Sequence, residues 1–130
     1  MTPPQAPRHD RERGSASVEM VVLMPLLFGI LFAGVQGALF YHARTLAIAA
    51  AQEGARAAAA QGGTLSAGTA AATGFLHDAA GDALIGVSVT GTRTASVATI
   101  TVQGTSLTVV PGWTLTVEQS ATLPVERITR

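Results

Sequence analysis

Gly14 and Glu19 are the residues of this chain that most suggest chemistry, because they stand five positions apart at the start of a long apolar segment. No residue from Met20 to Tyr41 is charged, so Glu19 is the carboxylate at the mouth of that segment. A charged side chain costs about 2.5–3.5 kcal/mol at the centre of a bilayer and less near its surface. Glu19 therefore needs a reason to be there. The simplest is an acidic first-turn residue favoured by the helix dipole, worth about 0.3–1 kcal/mol.

The other titratable residues make a poor catalytic or metal-binding set. The three histidines, at positions 9, 42 and 77, are scattered. Asp78 and Asp82 are four residues apart and are predicted to share a helix face, but two carboxylates alone make a weak metal site. Cysteine and lysine are absent, which excludes disulfides, thiolate metal sites and a P-loop lysine. We predict no enzymatic activity, no cofactor and no bound metal.

The apolar segment is long enough to be a transmembrane helix. Its 22 residues would span about 33 Å as a helix, against a hydrocarbon core of about 30 Å. A secretory signal has a shorter apolar region of about 7–15 residues, although Ala49-Ala50-Ala51 could mimic its cleavage site. A signal peptide and a buried helix of a soluble protein remain the alternatives. A membrane helix tolerates Pro25 with a kink.

Composition and charge indicate one small anchored domain with its N-terminus in the cytoplasm. About 90 of the 130 residues follow the apolar segment, enough for one modest core. Eight basic and eight acidic residues cancel, which argues against a nucleic-acid partner. A polar, Pro-rich leader, residues 1–14, contains three arginines, whereas only Arg44 and Arg56 follow the span closely. The positive-inside rule then places residues beyond the span outside the cell membrane.

A single helix is predicted over residues 15–61, through the membrane and into an Ala-rich part. Small residues at a spacing of four, Gly29, Ala33 and Gly37, would let a second helix approach closely. The alternative is that Gly and Ala are simply common in this chain. In the Ala-rich part, Glu53 and Arg56 are spaced to pair, whereas Gly54 weakens the helix and so indicates a close contact on its face.

Residues 62–130 are predicted to form an outer region with a second helix and a small sheet. Gly62-Gly63 ends the first helix, and the second runs from about Ser66, its N-cap, to about Ala80. Its predicted apolar face comprises Ala72, Phe75, Leu76, Ala79 and Ala83.

The sheet is predicted from alternation of apolar and polar residues. Three segments follow this pattern, around residues 85–90, 98–103 and 113–118, and a Pro111-Gly112 turn precedes the third. Such a pattern is typical of three or four antiparallel strands with one buried face. The predicted fold class is α+β: a long N-terminal transmembrane helix, a short second helix and a small antiparallel β-sheet.

Several of these motifs together resemble a known family. Gly14 before Ser15, Glu19 and the apolar helix look like a type IV prepilin processing site. The segments at residues 24–27 and 52–59, the second of which contains Glu53, Gly54 and Arg56, resemble the TadE-like family of the tight-adherence (Tad) pilus system. Residues 120–126 look like the final strand of that family. Because an outer domain follows the helix, a minor pseudopilin fits better than the short major pilin.

The resemblance implies a role for each of the first motif's residues. A prepilin peptidase would cut between Gly14 and Ser15, and Glu19 would neutralise the new Ser15 ammonium on its own chain or on a neighbour. The implied partners are membrane lipid, the peptidase, other pilin-like subunits and the pilus assembly platform. The alternative function is an envelope protein with an uncleaved signal anchor and an outer partner-binding domain.

Overall fold

The fold is a long helix followed by a short helix and a three-stranded antiparallel sheet, which confirms the α+β prediction. The computed structural model describes residues 1–4 and 10–129, with residues 10–13 described by their backbone alone; the leader residues 5–9, including His9, lie outside the described residues. The elements are α1 (Asp10–Ala59), α2 (Leu65–Ala79), a 3-10 turn (Gly81–Ala83), β1 (Leu84–Arg93), β2 (Val97–Ser106) and β3 (Thr116–Pro124). The chain forms two compact units, Met1–Gly34 and Val35–Arg130, and α1 contributes to both.

Helix α1 begins at Asp10, five residues before the predicted start at Ser15. After Pro7 no helix-breaking residue precedes Gly14, and Arg and Glu, which alternate there, are good helix formers. The helix ends at Ala59, and Gly62 follows with a positive φ of 73°, a conformation that glycine adopts without strain. The predicted Gly62-Gly63 stop is therefore confirmed.

Helix α2 is capped by Thr64 and not by Ser66, so the predicted N-cap is wrong. Thr64 has an extended backbone, and its hydroxyl accepts a hydrogen bond from the Ala67 amide at 3.0 Å. Ser66 already lies inside the helix. The predicted apolar face is right for Ala72 and Leu76, which are buried, but Ala79 is exposed.

Strand β2 lies in the middle of the sheet and pairs with β1 on one side and β3 on the other. Its alternation has the predicted effect. Ala98, Ile100 and Val102 are fully buried, and the opposite face carries polar cross-strand pairs. These pairs are Thr99 with Thr122 at 2.8 Å, Thr101 with Ser120 at 2.7 Å, and Gln103 with Glu118 at 3.2 Å.

The predicted alternation is wrong in parts of β1 and β3. In β1 the register shifts between Ile85 and Ser88, where Gly86 has a φ of 62°, so Ile85 and Val87 are exposed and Leu84 is buried instead. The expected strand around Trp113 begins only at Thr116. It continues into the segment predicted as the final strand, residues 120–126, and ends at Pro124. The preceding Pro111-Gly112 turn forms as predicted, because the Trp113 amide donates to the Val110 carbonyl at 3.2 Å.

The core is built where the Ala-rich part of α1, α2 and the sheet meet. Seven alanines of α1 are buried in it: Ala43, Ala47, Ala50, Ala51, Ala55, Ala58 and Ala59. They share one cluster with Leu76 of α2 and with Ile100, Val102 and Val117 of the sheet. Because alanine is short, this stripe lets the backbone of α1 lie close to its neighbours.

Candidate membrane anchor and processing site

The first part of α1 exposes almost all of its large apolar side chains. Exposed residues run from Val18 to Val35 without a buried position, and Tyr41 is 69% exposed. Soluble monomers rarely expose a continuous apolar surface of this extent. Within the described residues, one helix is long and apolar enough to cross a membrane, and it is this one.

Gly14, Ser15 and Glu19 lie on the exposed surface at the beginning of this apolar stretch. All three are helical, because α1 already starts at Asp10. Ser15 and Glu19 are four residues apart, which places their side chains on one face with about 5–6 Å between the Cβ atoms. The backbone nitrogen of Ser15, which is the predicted new amine, and Glu19, its predicted carboxylate partner, therefore lie about one helical turn apart. Cleavage itself stays a prediction.

Gly29, Ala33 and Gly37 form an open row on α1. All three are exposed, and a Cβ added to either glycine would meet no atom within 4 Å. The surface is available to a second helix, and the packing role of the row stays a prediction.

The segment Glu53-Gly54-Ala55-Arg56 divides into a surface pair and a buried contact. Arg56 Nη1 lies 3.2 Å from Glu53 Oε2, but the two side chains are 67% and 49% exposed. An exposed pair of this kind contributes at most about 0.5 kcal/mol. Gly54 is buried, and a Cβ there would lie 2.7 Å from the Gly68 carbonyl oxygen. The contact predicted for Gly54 is confirmed: it is where α2 crosses α1.

Gln36 is the site residue that sequence reasoning missed. Its side chain is 1% exposed, although it belongs to the apolar segment. Its amide nitrogen donates to the Leu107 carbonyl at 3.2 Å, and its Oε1 accepts from the Val109 amide at 2.9 Å and from the Thr108 hydroxyl at 3.1 Å. All three partners belong to the loop between β2 and β3, residues 107–115, which we call the β2–β3 loop. The sequence signal was present, as a lone amide in an apolar segment, but its partners lie more than 70 residues away.

Among the residues whose side chains the structure describes, the other titratable groups form no larger cluster. His77 Nδ1 lies 3.3 Å from Asp78 Oδ1, and both side chains are more than four-fifths exposed. Asp82 lies in the 3-10 turn beyond the end of α2, so the predicted helix face shared with Asp78 is wrong. In the part of the chain that the structure describes, no group of three His, Asp or Glu side chains is placed to hold a metal ion.

These features define a class of protein with one long helix. The first part of the helix is apolar and exposed, and the second part belongs to the core of an α+β domain. The family described as TadE-like protein matches residues 14–56, about a third of the chain. The resemblance recognised from the sequence is thereby confirmed over that segment. No curated protein and no solved structure gives a significant match to the chain.

Proposed function

We propose that this chain is a membrane-anchored minor pseudopilin that takes part in the assembly of a Tad-type pilus or a related secretion machine. The observation that carries the proposal is the extent of the TadE-like match. Residues 14–56 include the exposed apolar part of α1 and also much of the Ala-rich part that is buried in the outer domain. One helix thus supplies both a lipid-facing surface and the support of a folded domain, an arrangement suited to a pilin-like subunit.

In this proposal α1 crosses the cell membrane once. The N-terminus is cytoplasmic because arginines are more frequent before the span than after it. The domain that follows lies outside the membrane. Its partners are membrane lipid, other pilin-like subunits and the assembly platform, and the chain carries out no enzymatic reaction.

A prepilin peptidase cuts the proposed precursor between Gly14 and Ser15. The new ammonium on Ser15 then lies one helical turn from Glu19, on the same exposed face. Pairing of the two charges offsets much of their desolvation, whereas either charge alone would be costly near lipid. Glu19 of one subunit can equally meet Ser15 of a neighbour, which would set the register between packed helices.

Two substitutions test this proposal in cells that carry the matching peptidase. Gly14→Leu should leave the leader on, because a bulky side chain does not fit a site built for glycine. Glu19→Gln keeps the shape and removes the charge, so it should allow processing but reduce assembly. N-terminal sequencing and a count of pili on the same strains give the two readouts. A functional protein that still begins at Met1 would overturn the cleavage step.

One observation favours the second candidate, an envelope protein with an uncleaved anchor and a partner-binding outer domain. Helix α1 continues from Asp10 through Gly14 and Ser15, whereas proteolysis favours exposed and poorly ordered segments. Gly14 weakens the helix at this point, by about 1 kcal/mol relative to alanine, and so eases local opening. An intact leader together with normal pili in the Gly14→Leu strain would support the uncleaved anchor.

A further inference from the structure

The β2–β3 loop is fixed to α1 at a level that lies within the apolar segment. Gln36 fixes the loop through three hydrogen bonds to three consecutive loop residues. Gln36 precedes Tyr41, the last residue of the apolar segment, by five positions, or about 7 Å along a helix. The loop therefore lies beside helix residues that would be at the outer boundary of a bilayer.

The β2–β3 loop has the composition of a lipid-contacting segment. It carries no charged residue, and six of its nine residues are apolar: Leu107, Val109, Val110, Pro111, Trp113 and Leu115. Trp113 is 55% exposed and Val109 is 39% exposed. Trp and Tyr are enriched where bilayers meet water, and Tyr41 is also exposed at this level.

Part of the backbone of the β2–β3 loop is hydrogen-bonded within the protein. The Trp113 amide donates to the Val110 carbonyl at 3.2 Å, and the Ser106 amide donates to the Leu115 carbonyl at 2.9 Å. Gln36 Oε1 accepts a hydrogen bond from the Val109 amide, and Thr108 Oγ1 accepts one from the Val110 amide at 3.3 Å. Unpaired backbone groups are costly near hydrocarbon, so these bonds lower the cost of bringing the loop close to lipid.

The opposite end of the sheet differs in both place and chemistry. The β1–β2 turn, residues 94–96, is polar, and the Arg127 side chain donates to the carbonyl of Ala95 within it. Arg93, just before this turn, donates to the Ala58 carbonyl at 2.8 Å, near the end of α1. Residues 36 and 58 are about 33 Å apart along a helix. The apolar β2–β3 loop and the polar β1–β2 turn thus lie at opposite ends of the domain along α1.

We propose that the β2–β3 loop inserts into the interfacial layer of the outer leaflet, with Trp113 and Val109 in contact with lipid, and that Gln36 holds the loop at this depth. The inference rests on the proposed anchoring of α1 in the membrane. The domain then touches the membrane at two places, through its helix and through this loop, which restricts its tilt and rotation on the surface.

Trp113 is the single tryptophan of the chain, so its fluorescence reports on this loop alone. The full chain is reconstituted into phosphatidylcholine vesicles, and flotation in a density gradient checks that it is anchored. Phosphatidylcholine brominated near the headgroup end of its acyl chains should quench Trp113, and aqueous iodide should quench it little. Emission should lie to the blue of that of exposed tryptophan.

Two variants sharpen the test. Trp113→Phe combined with Ala95→Trp moves the reporter to the exposed far turn, where iodide should quench it and brominated lipid should not. Gln36→Leu keeps α1 apolar but removes the three hydrogen bonds that fix the loop to α1. It should therefore leave flotation unchanged and reduce the quenching of Trp113 by brominated lipid.

The possible outcomes distinguish a failure of loop insertion from a failure of membrane anchoring. A chain that does not float refutes the membrane anchoring and the loop insertion together. A chain that floats but whose Trp113 is quenched by iodide as strongly as the Ala95→Trp reporter refutes the loop insertion alone. Quenching by neither agent means that protein covers Trp113, and this also refutes the proposal.

Discussion

Replacing Gly54 by alanine tests how closely α1 and α2 must approach. A Cβ at position 54 would lie 2.7 Å from the Gly68 carbonyl oxygen, 2.9 Å from Ala72 Cβ and 3.1 Å from Ile100 Cγ2. Carbon atoms in good contact are about 3.5–4.0 Å apart, so α2 would have to move by several tenths of an ångström. Overpacking of this kind costs about 1–3 kcal/mol. Alanine favours the helix by about 0.8–1.0 kcal/mol, which leaves a net loss of about 1 kcal/mol.

The matched control is Gly74→Ala in α2. Gly74 is exposed, and an added Cβ there would meet nothing within 4 Å. Only the higher helix preference of alanine then acts, so this substitution should stabilise the folded domain. Thermal unfolding of the full chain in detergent micelles, followed by circular dichroism, compares the two. For a domain of this size 1 kcal/mol shifts Tm by about 4–8 °C, so the variants should move Tm in opposite directions. A Gly54→Ala protein as stabilised as Gly74→Ala would refute the close-contact argument.

Two further predictions concern the apolar part of α1 and its proposed place in the membrane. A reporter that is active only outside the membrane, fused after Arg130, should be active; a well-expressed but inactive fusion would contradict the cytoplasmic N-terminus. Gly37→Leu should weaken helix association in a membrane assay by about 1 kcal/mol, or about fivefold, whereas Val35→Phe on the opposite face should not. Because nothing lies within 4 Å of a Cβ at Gly37, this change should spare the domain, and equal effects at the two positions would leave only bulk hydrophobicity as the cause.

The sequence predicted those parts of the fold that depend on local periodicity. The apolar segment and the Ala-rich segment form one helix as predicted, although Pro25 and Gly54 lie within it, and the alternation in β2 correctly identifies its buried face. Alternation failed at Ile85, because a bulge at Gly86 changes which side chains face inward. It also failed at Trp113, where the pattern of the strand extends back into the loop.

The contacts of the candidate site were less predictable than the fold, because the main one, between Gln36 and the β2–β3 loop, joins residues far apart in the sequence. Nothing near Gln36 in the sequence indicates that its amide is satisfied by a loop more than 70 residues later. Gly54 could be singled out because glycine is unfavourable in a helix, but its partner Gly68 could not. Local patterns show that a residue is unusual, whereas only the packed chain shows what it contacts.

The end of α1 has a consequence for how the domain is made. The last carbonyls of a helix lack partners within it, and here those of Ala58 and Ala59 are bonded by Arg93 Nε and by the Glu126 amide, at 2.8 and 2.9 Å. The helix terminus is therefore completed by segments that are synthesised much later. On the proposed topology this end of the helix cannot be completed while the chain is still being translocated, because residue 126 must first have crossed the membrane. Until then the domain is not fully assembled, and incompletely folded chains are exposed to aggregation and to envelope proteases.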